Sequence, residues 1–467
     1  MLIVQVTVVL YVVASLVIGA LVGRRIRTEE DYIVAGRRLS FPLVTFTVFA
    51  TWFGAETCLG AAGAIYQQGL GAGSADPFGY AACIFLVGLV FAVPLWRRKL
   101  VTLADLFRQR FGPQVERLAV LLMVPSSLLW AAAQIRAFGQ VISAGTGFDS
   151  DATITAAAAV VIVYTLFGGL LADVWTDLIQ GIALIVGLVM LMGSVLLRHG
   201  SAPFAAIEPE RLRLFDVAGQ GLLSTLERWS IPVVGSVVAA ELVGRVIAAR
   251  TPQIAQRATI AAAGLYLGVG LIPVALGLAG ASLMPGLADP EQLLPQLAGE
   301  YLPTLAYALF LGAIVSAILS TVDSTLLVSA SLVSHNVVLP LRPDLSERAK
   351  LRLARGGVLC FGIVAYSLAF SAEGVYALVQ EASAFASAGI VVVVVLGLFT
   401  RVGGAASAAG ALVLGGVVWV VGAYLLGWSY PYLASLAAAL AGYFALVGVG
   451  DEPELERVSA HGRRTAA

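Results

Sequence analysis

The sequence predicts an all-α polytopic membrane protein of about thirteen transmembrane helices, ten of which form two five-helix repeats of opposite orientation. Three observations lead to this prediction. The 467 residues are 59% hydrophobic and only 12% charged, about half the charge of a soluble domain. Apolar runs of about 20 residues, the length that crosses a bilayer, recur along the chain. Basic residues concentrate at alternate ends of these runs, as expected for short cytoplasmic loops.

The apolar runs fill most of the chain. The first has no basic residue before it and is followed by Arg24, Arg25 and Arg27, so we expect an anchor with its N-terminus outside rather than a cleaved signal peptide. The longest polar gap, residues 198–227, is too short for a separate domain. The runs lie near residues 2–22, 41–66, 76–96, 115–146, 152–172, 174–197, 228–248, 258–283, 303–338, 351–371, 374–399, 404–426 and 430–449.

The distribution of basic residues supports this span order. With an outside N-terminus, most of the 28 lysines and arginines fall on segments predicted to be cytoplasmic, the group in which we place Arg245. An error in the span count would disturb this alternation from that point onward. The exceptions are Arg198, Arg211, Arg213 and Arg228 on the outer side and Arg136 within a span.

The ten central spans divide into two blocks related by inversion. Five is an odd number, so a second block of five spans enters the membrane from the opposite side, as in many secondary transporters. We expect an extra helix and a cytoplasmic loop in residues 1–40, the first repeat in 41–227 and the second in 228–402. Residues 403–467 then contain two further helices and a cytoplasmic tail.

The first span of each block carries the features of a discontinuous helix. The earlier one combines Gly54 with Glu56, and the later one combines Gly235 and Gly244 with Glu241. Unwound backbone at membrane depth is tolerated only where it lines a cavity. Glycine-mediated helix packing is the alternative for either span alone. Their equivalent positions favour two breaks.

Ionisable residues within the spans are rare, and such residues indicate function because they are costly to bury in a bilayer. For Asp173 and Asp177 the alternative is a place at the cytoplasmic interface, and for Arg136 it is a structural pairing with an acid. Glu381 could lie close to the outer surface. The residues concerned are Glu56, Arg136, Asp173, Asp177, Glu241, Asp323 and Glu381.

A run of hydroxyl side chains surrounds one of these acids. Ser316 and Ser320 lie one helical turn apart, as do Ser320 and Ser324, so they share a face of the helix with Thr321 close by. Such hydroxyls can simply bond to the preceding turn. Together with Asp323 they offer a set of oxygen donors, which suits a hard cation such as sodium rather than a soft metal.

Other classes of protein are disfavoured. The formal net charge of 0 gives no indication of nucleic-acid binding. Three cysteines and three histidines are spread along the chain without the spacing of a metal site or a catalytic constellation, so we do not expect an enzyme. There is also no repeated filter motif of a channel.

Residues 50–69, 164–181 and 316–336 resemble the sodium–solute symporters, the family of the proline, galactose, sialic acid and choline carriers. The resemblance extends from about residue 31 to about residue 400. It implies the inverted-repeat fold of the leucine transporter and sodium-coupled import of a small organic solute by alternating access. Sodium ions and the solute are the expected ligands, and no organic cofactor is expected.

The resemblance also implies residue roles. The family's usual sodium site falls on backbone carbonyls of the first broken span and on a carbonyl and two hydroxyls of the hydroxyl-rich span. A second ion site, or an ion exit station, falls on Asp177, Asp323 and Ser324. The residues of the usual sodium site are Ala50, Phe53, Ala317, Ser320 and Thr321.

The first repeat is most similar to the choline carriers. Trp52 and Trp130 match two cage tryptophans of that branch, whereas the third aligns near Ala239. With Glu56 and Glu241 they form the predicted substrate site. Aromatic faces and carboxylates favour an amine, a zwitterion or an amino-acid-like solute.

The expected location is the plasma or inner membrane, with the C-terminus in the cytoplasm. We expect contact with the lipid bilayer and no nucleic-acid or obligatory protein partner. Two alternatives remain at this level. One is a sensor with a transporter fold that signals through a separate protein, and the other is a symporter coupled to protons through Asp177 or Asp323.

Overall fold

The computed structural model describes Val13 and residues 33–449, apart from 72, 74, 168–169, 216–220, 343 and 373. All regular secondary structure within these residues is helical, as the sequence predicted. One isolated parallel bridge joins Leu39 to Ala249. The predicted first span, residues 2–22, and the tail beyond residue 449 lie outside the described residues.

The helices are numbered in chain order. From the second onward, each predicted span coincides with one helix or with a bent pair of helices. The helices are α1 Phe41–Trp52, α2 Glu56–Gln68, α3 Ala75–Arg97, α4 Ala104–Phe111, α5 Pro113–Thr146, α6 Ser150–Phe167, α7 Leu170–His199, α8 Leu222–Val238, α9 Ala240–Ile247, α10 Pro252–Leu283, α11 Leu293–Tyr301, α12 Thr304–Leu341, α13 Glu347–Ser371, α14 Val375–Ala384, α15 Ser387–Phe399, α16 Ala405–Leu425 and α17 Pro431–Ala445.

Three membrane spans are broken. The pair α1/α2 is bent by 47°, α8/α9 by 45° and α14/α15 by 42°. The first two breaks confirm the sequence prediction, and the third was not predicted. Counting each pair as one span, the described residues contain up to 10 helices long and apolar enough to cross a membrane. The helices α6 and α17 are shorter apolar helices.

The hydroxyl-rich helix α12 lies at the centre of the bundle. In its most apolar stretch, 78% of α12 is buried inside the protein, whereas the value for the peripheral helix α13 is 28%. Helix α12 packs against α5 and α7, and α7 in turn packs against α1. Polar side chains on α12 therefore face protein rather than lipid, which lowers the free-energy cost of placing them within the membrane.

Two of the breaks are in direct contact. A Cβ atom on Gly235, at the end of α8, would lie 2.5 Å from Ser383 O and 2.8 Å from Ser387 Oγ. Both distances are shorter than real Cβ atoms tolerate, so the close approach of the α8/α9 and α14/α15 breaks requires glycine at this position.

Candidate functional site

Helix α1 ends inside the protein, and its end presents backbone carbonyls to neighbouring helices. Phe53 adopts an extended conformation that terminates the helix, leaving the carbonyls of the last turn without helical N–H partners. The Tyr266 hydroxyl on α10 lies 3.2 Å from Trp52 O, and the Thr321 hydroxyl on α12 lies 3.4 Å from Ala50 O. The break thus creates acceptors that side chains of other helices approach.

Three of the five residues predicted to bind sodium lie together at this break, namely Ala50, Ala317 and Thr321. The Thr321 hydroxyl lies 3.4 Å from Ala50 O and 3.1 Å from Ala317 O. Phe53 is buried in the break itself. The Ser320 hydroxyl instead donates to Asp173 Oδ1 at 2.7 Å and to Asp177. The oxygens that the sequence assigned to sodium therefore lie in two adjoining groups, one of which carries acidic side chains.

The acidic group is held by a buried arginine. Arg245 on α9 is only 1% exposed, and its Nη2 lies 2.8 Å from Asp173 Oδ2 and 3.8 Å from Asp177 Oδ2. Its Nε donates to Thr47 Oγ1 at 3.0 Å. The sequence placed Arg245 on a cytoplasmic segment, and the structure shows that its guanidinium is buried inside the bundle, where two acids compensate its charge.

This network joins two helical faces of matching periodicity. Asp173 and Asp177 lie one turn apart on α7, and Ser320 and Ser324 lie one turn apart on α12. The Ser324 hydroxyl contacts both Asp173 and Arg245. Both acids are fully buried, so neither lies at an exposed interface.

Asp323 lies within electrostatic range of Asp173, Asp177 and Arg245 but does not share their hydrogen bonds. It is buried, and neither carboxylate oxygen has a hydrogen-bond partner among the described residues. Of the predicted second ion site, the structure thus joins Asp177 and Ser324 through Arg245 and the α7 acids. Asp323 lies next to them in the sequence without sharing their hydrogen bonds.

The two predicted cage tryptophans lie close together, and a tyrosine forms a third ring of the same aromatic cluster. The Trp52 and Trp130 ring centroids are 5.9 Å apart, and Tyr80 lies 5.3 Å from Trp52 and 6.2 Å from Trp130. Sequence reasoning missed Tyr80, although its position after Gly79 in a span of the first repeat offered an aromatic residue to consider. Its hydroxyl lies 3.0 Å from Ser383 Oγ near the third break.

A cavity of about 30 Å³ lies beside this aromatic cluster, between α5 and the α8/α9 and α14/α15 breaks. Trp130, Ala239 and Glu241 line it, and Ser127 donates to Glu241 Oε1 at 2.5 Å. Glu56 is not among its lining residues. A space of this size holds about two water molecules, so this conformation is closed around the predicted substrate site and a solute needs side chains to move.

Asp76, at the start of α3, is a buried acid that sequence reasoning missed. Thr57 donates to its Oδ2 at 2.7 Å, and Tyr266 donates to its Oδ1 at 3.0 Å. The residue lies directly before Pro77 at the edge of an apolar run, where an aspartate is typical of a loop. Only the fold brings it beside the α1/α2 break.

Comparisons with known proteins point to one family. The model of the Sodium:solute symporter family matches residues 32–417. High-affinity choline transporter 1 of Caenorhabditis elegans is 28% identical over 414 residues, 80% of this chain and 69% of that protein. The human high-affinity choline transporter 1 is 29% identical over 370 residues, 75% of this chain and 63% of that protein. The human sodium-coupled monocarboxylate transporter 2 is 27% identical over 402 residues, 77% of this chain and 61% of that protein.

Solved structures show the same fold. A substrate-bound, outward-open Na⁺-coupled sialic acid symporter superposes with a TM-score of 0.81 at 19% identity, covering 95% of this chain and 97% of that one. A nucleobase-cation-symport-1 family transporter in a closed conformation superposes with a TM-score of 0.59 at 15% identity, covering 90% and 94%.

Replacing Arg245 by glutamine should strongly destabilise the protein. The change leaves Asp173 and Asp177 buried without their counter-charge, and breaking a buried ion pair from one side costs about 3–5 kcal/mol. The measurement is the thermal unfolding of the purified protein in detergent. Arg250→Gln, at an exposed side chain, is the matched control.

Adding Asp173→Asn to the Arg245→Gln variant should restore part of the lost stability, because it removes one of the uncompensated charges. An Arg245→Gln variant as stable as the Arg250→Gln control would contradict the structural role of this network.

Proposed function

The chain belongs to the sodium:solute symporter family, a family of transporters and not of enzymes, and we propose that it imports a small organic solute together with sodium by alternating access. The chain spans about two thirds of the length of the choline transporters it matches. The observation that supports the proposal most strongly is the approach of the Thr321 hydroxyl to Ala50 O at the α1 break.

We assign sodium to the oxygens at this break. The carbonyls of Ala50, Phe53 and Ala317 with the hydroxyls of Ser320 and Thr321 form an uncharged oxygen set of the kind that hard cations prefer. Ser320 links the set to the acids of α7. These groups provide the negative potential that a cation needs in a low-dielectric interior.

Sodium at this position would connect α1 to α12. An ion changes a conformational equilibrium only through a different affinity for the two states. Because its ligands come from two helices, the site is complete only when these helices are correctly apposed. We propose that the same apposition exists in the outward-open state, so that sodium favours this state and the solute then closes the protein around the occupied site.

Membership in this family also supports a proposal for the bounds of the two repeats and for the orientation of the protein in the membrane. We assign residues 41–227 and 228–402 to two inverted repeats, in which the first spans carry equivalent breaks of 47° and 45°. The protein then lies in the plasma or inner membrane with its N-terminus outside and its C-terminus in the cytoplasm. The segments 1–40 and 403–467 add the flanking helices.

Arg245 contacts two of the three residues that were predicted to form a second ion site. Its guanidinium already compensates Asp177 and contacts Ser324 in this conformation. We propose that a second sodium or a departing ion reaches these groups only when Arg245 moves. Asp323, whose oxygens lack described partners, is the acid of this set that remains available.

The solute that fits the aromatic cluster is a small organic cation. Trp52, Tyr80 and Trp130 pack against one another, and Trp130 lines the cavity together with Glu241. Aromatic ring faces attract quaternary or protonated amines, and a carboxylate in the same cavity adds charge complementarity. The similarity to choline transporters supports an amine. Ala239 leaves one side of the cage without a ring, which favours an amine other than choline.

Replacing both Ser320 and Thr321 by alanine should raise the sodium requirement more than about tenfold. The change removes two ligands, each worth about 1.5 kcal/mol or more when it interacts with a charge. The measurement is the sodium concentration that half-maximally stabilises the purified protein against heat, with potassium as the control salt.

Ser329→Ala is the matched control for this experiment. Ser329 lies on the same helix, is buried, and donates only to the Thr325 carbonyl of its own helix. An unchanged sodium dependence in the Ser320 and Thr321 double variant would remove the basis of the sodium assignment.

Trp52→Ala should weaken binding of an amine solute more than about tenfold, because cation–π contacts in a desolvated site contribute about 2 kcal/mol or more. Trp130→Ala should have a comparable effect. The measurement is the apparent affinity for a panel of quaternary and primary amines. Trp428→Ala, at an exposed tryptophan, is the control. Uptake of a neutral sugar or a carboxylate that is insensitive to Trp52→Ala would refute the amine assignment.

A further inference from the structure

Two buried carboxyl groups lie beside the α1/α2 break, outside the sodium assignment and outside the lining of the solute cavity, although the sequence placed one of them, Glu56, in the substrate site. Glu56 begins α2, and Asp76 lies at the start of α3. Their exposed fractions are 1% and 0%. Each lies within electrostatic range of the other. Two carboxylates at such a site repel each other unless a cation or a proton compensates them.

The two acids differ in their hydrogen bonds. Both Asp76 oxygens accept from hydroxyl groups, one from Thr57 at 2.7 Å and one from Tyr266 at 3.0 Å. Glu56 accepts only through Oε2, from Gln134 Nε2 at 2.8 Å. Glu56 Oε1 and Gln134 Oε1 are both buried, and neither has a partner within the part of the chain that the structure describes. The site thus contains two acceptors that lack a donor.

Basic side chains near the site are engaged elsewhere. Arg136, two residues beyond Gln134 on α5, donates to Ala369 O at 3.3 Å. Arg228 on α8 donates to Gly71 O at 3.2 Å. Neither Glu56 nor Asp76 forms an ion pair with a described basic residue.

The other titratable groups around the pair do not supply positive charge. Tyr80 on α3, Tyr266 on α10 and Tyr376 on α14 are phenols, and Cys58 on α2 is a thiol. Glu291, in the turn before α11, would add a further negative charge. The surroundings therefore leave the pair of acids without compensation.

We propose that Glu56 and Asp76 form a proton-binding pair, in which one proton is held on Glu56 while Asp76 remains a carboxylate. The two hydroxyl donors stabilise charge on Asp76, whereas among the described residues Glu56 has one side-chain donor, the amide of Gln134, besides its own backbone N–H. A proton on Glu56 also supplies the donor that the two orphaned oxygens lack. Sodium is the competing occupant, because carboxylate and amide oxygens also suit a hard cation.

The proposal defines a direction of pH dependence. The proton is bound at neutral pH and leaves as the pH rises, which adds a negative charge beside the broken helix. Removing the Asp76 charge makes ionisation of Glu56 easier, so the proton of an Asp76→Asn variant should leave at lower pH.

The test is the infrared C=O stretch of protonated carboxyl groups in the purified full-length protein, recorded across a pH titration. The difference between wild type and Glu56→Gln should contain a protonated-carboxyl band equal to one group, which disappears only at alkaline pH. In Asp76→Asn the same band should disappear at lower pH. Glu300→Gln, at an exposed position, should leave the band unchanged.

Two results would overturn the proposal. One is a wild-type-minus-Glu56→Gln difference without a protonated-carboxyl band at neutral pH. The other is a band that is present in potassium and lost in sodium at the same pH, which would show that sodium takes the place of the proton. If Glu56→Gln does not fold, the Asp76→Asn titration decides, because an unshifted midpoint contradicts a shared proton.

Discussion

The buried ion pair between Arg245 and Asp173 is the interaction on which the rest of this site depends. A single guanidinium on the broken span α8/α9 contacts α7 through Asp173 and Asp177, α1 through Thr47 and α12 through Ser324. An uncompensated charge here is far more costly than the pair itself. The network therefore fixes how these four helices meet. Ser320 faces the acids as a result, while its neighbour Thr321 faces the carbonyls at the end of α1.

Broken helices give the protein polar groups at a depth where a continuous helix offers none. A helix in a bilayer satisfies its own backbone, whereas an interrupted one leaves carbonyls and N–H groups that must find other partners. At the α1 break these partners are Thr321 and Tyr266. The other two breaks can approach each other because Gly235 has no side chain. The cavity beside them is small in this conformation. Access to it therefore requires these elements to move relative to one another.

Sequence patterns revealed those features that depend on local composition. The length of the apolar runs predicted the spans, and glycine close to glutamate predicted the first two breaks. Both patterns depend only on residues that are near one another in the sequence. The third break, at Phe385 and Ala386, contains neither glycine nor proline, so no local pattern marks it. Ala386 adopts a left-handed backbone conformation there, with φ 55°, and Gly235 of α8 packs against Ser383 beside it.

The features that sequence reasoning missed depend on contacts between distant residues. Arg245 resembles a cytoplasmic arginine at the end of a span until α7 brings Asp173 to it. Asp76 resembles a loop residue until Thr57 and Tyr266 donate to it, and Tyr80 is one apolar aromatic among many until it meets Trp52. In each case the partner is supplied by another helix, which spacing along the chain does not reveal.

Sodium-driven uptake of an organic cation is the activity that we propose for this protein. The most direct measurement is the accumulation of radiolabelled amines by the purified protein in lipid vesicles, with sodium outside only, sodium on both sides, or potassium throughout. We expect accumulation above the external concentration with the inward sodium gradient alone, and collapse of this accumulation when an ionophore dissipates the gradient. Binding without accumulation, as expected of a sensor, or equal accumulation without sodium would contradict this proposal.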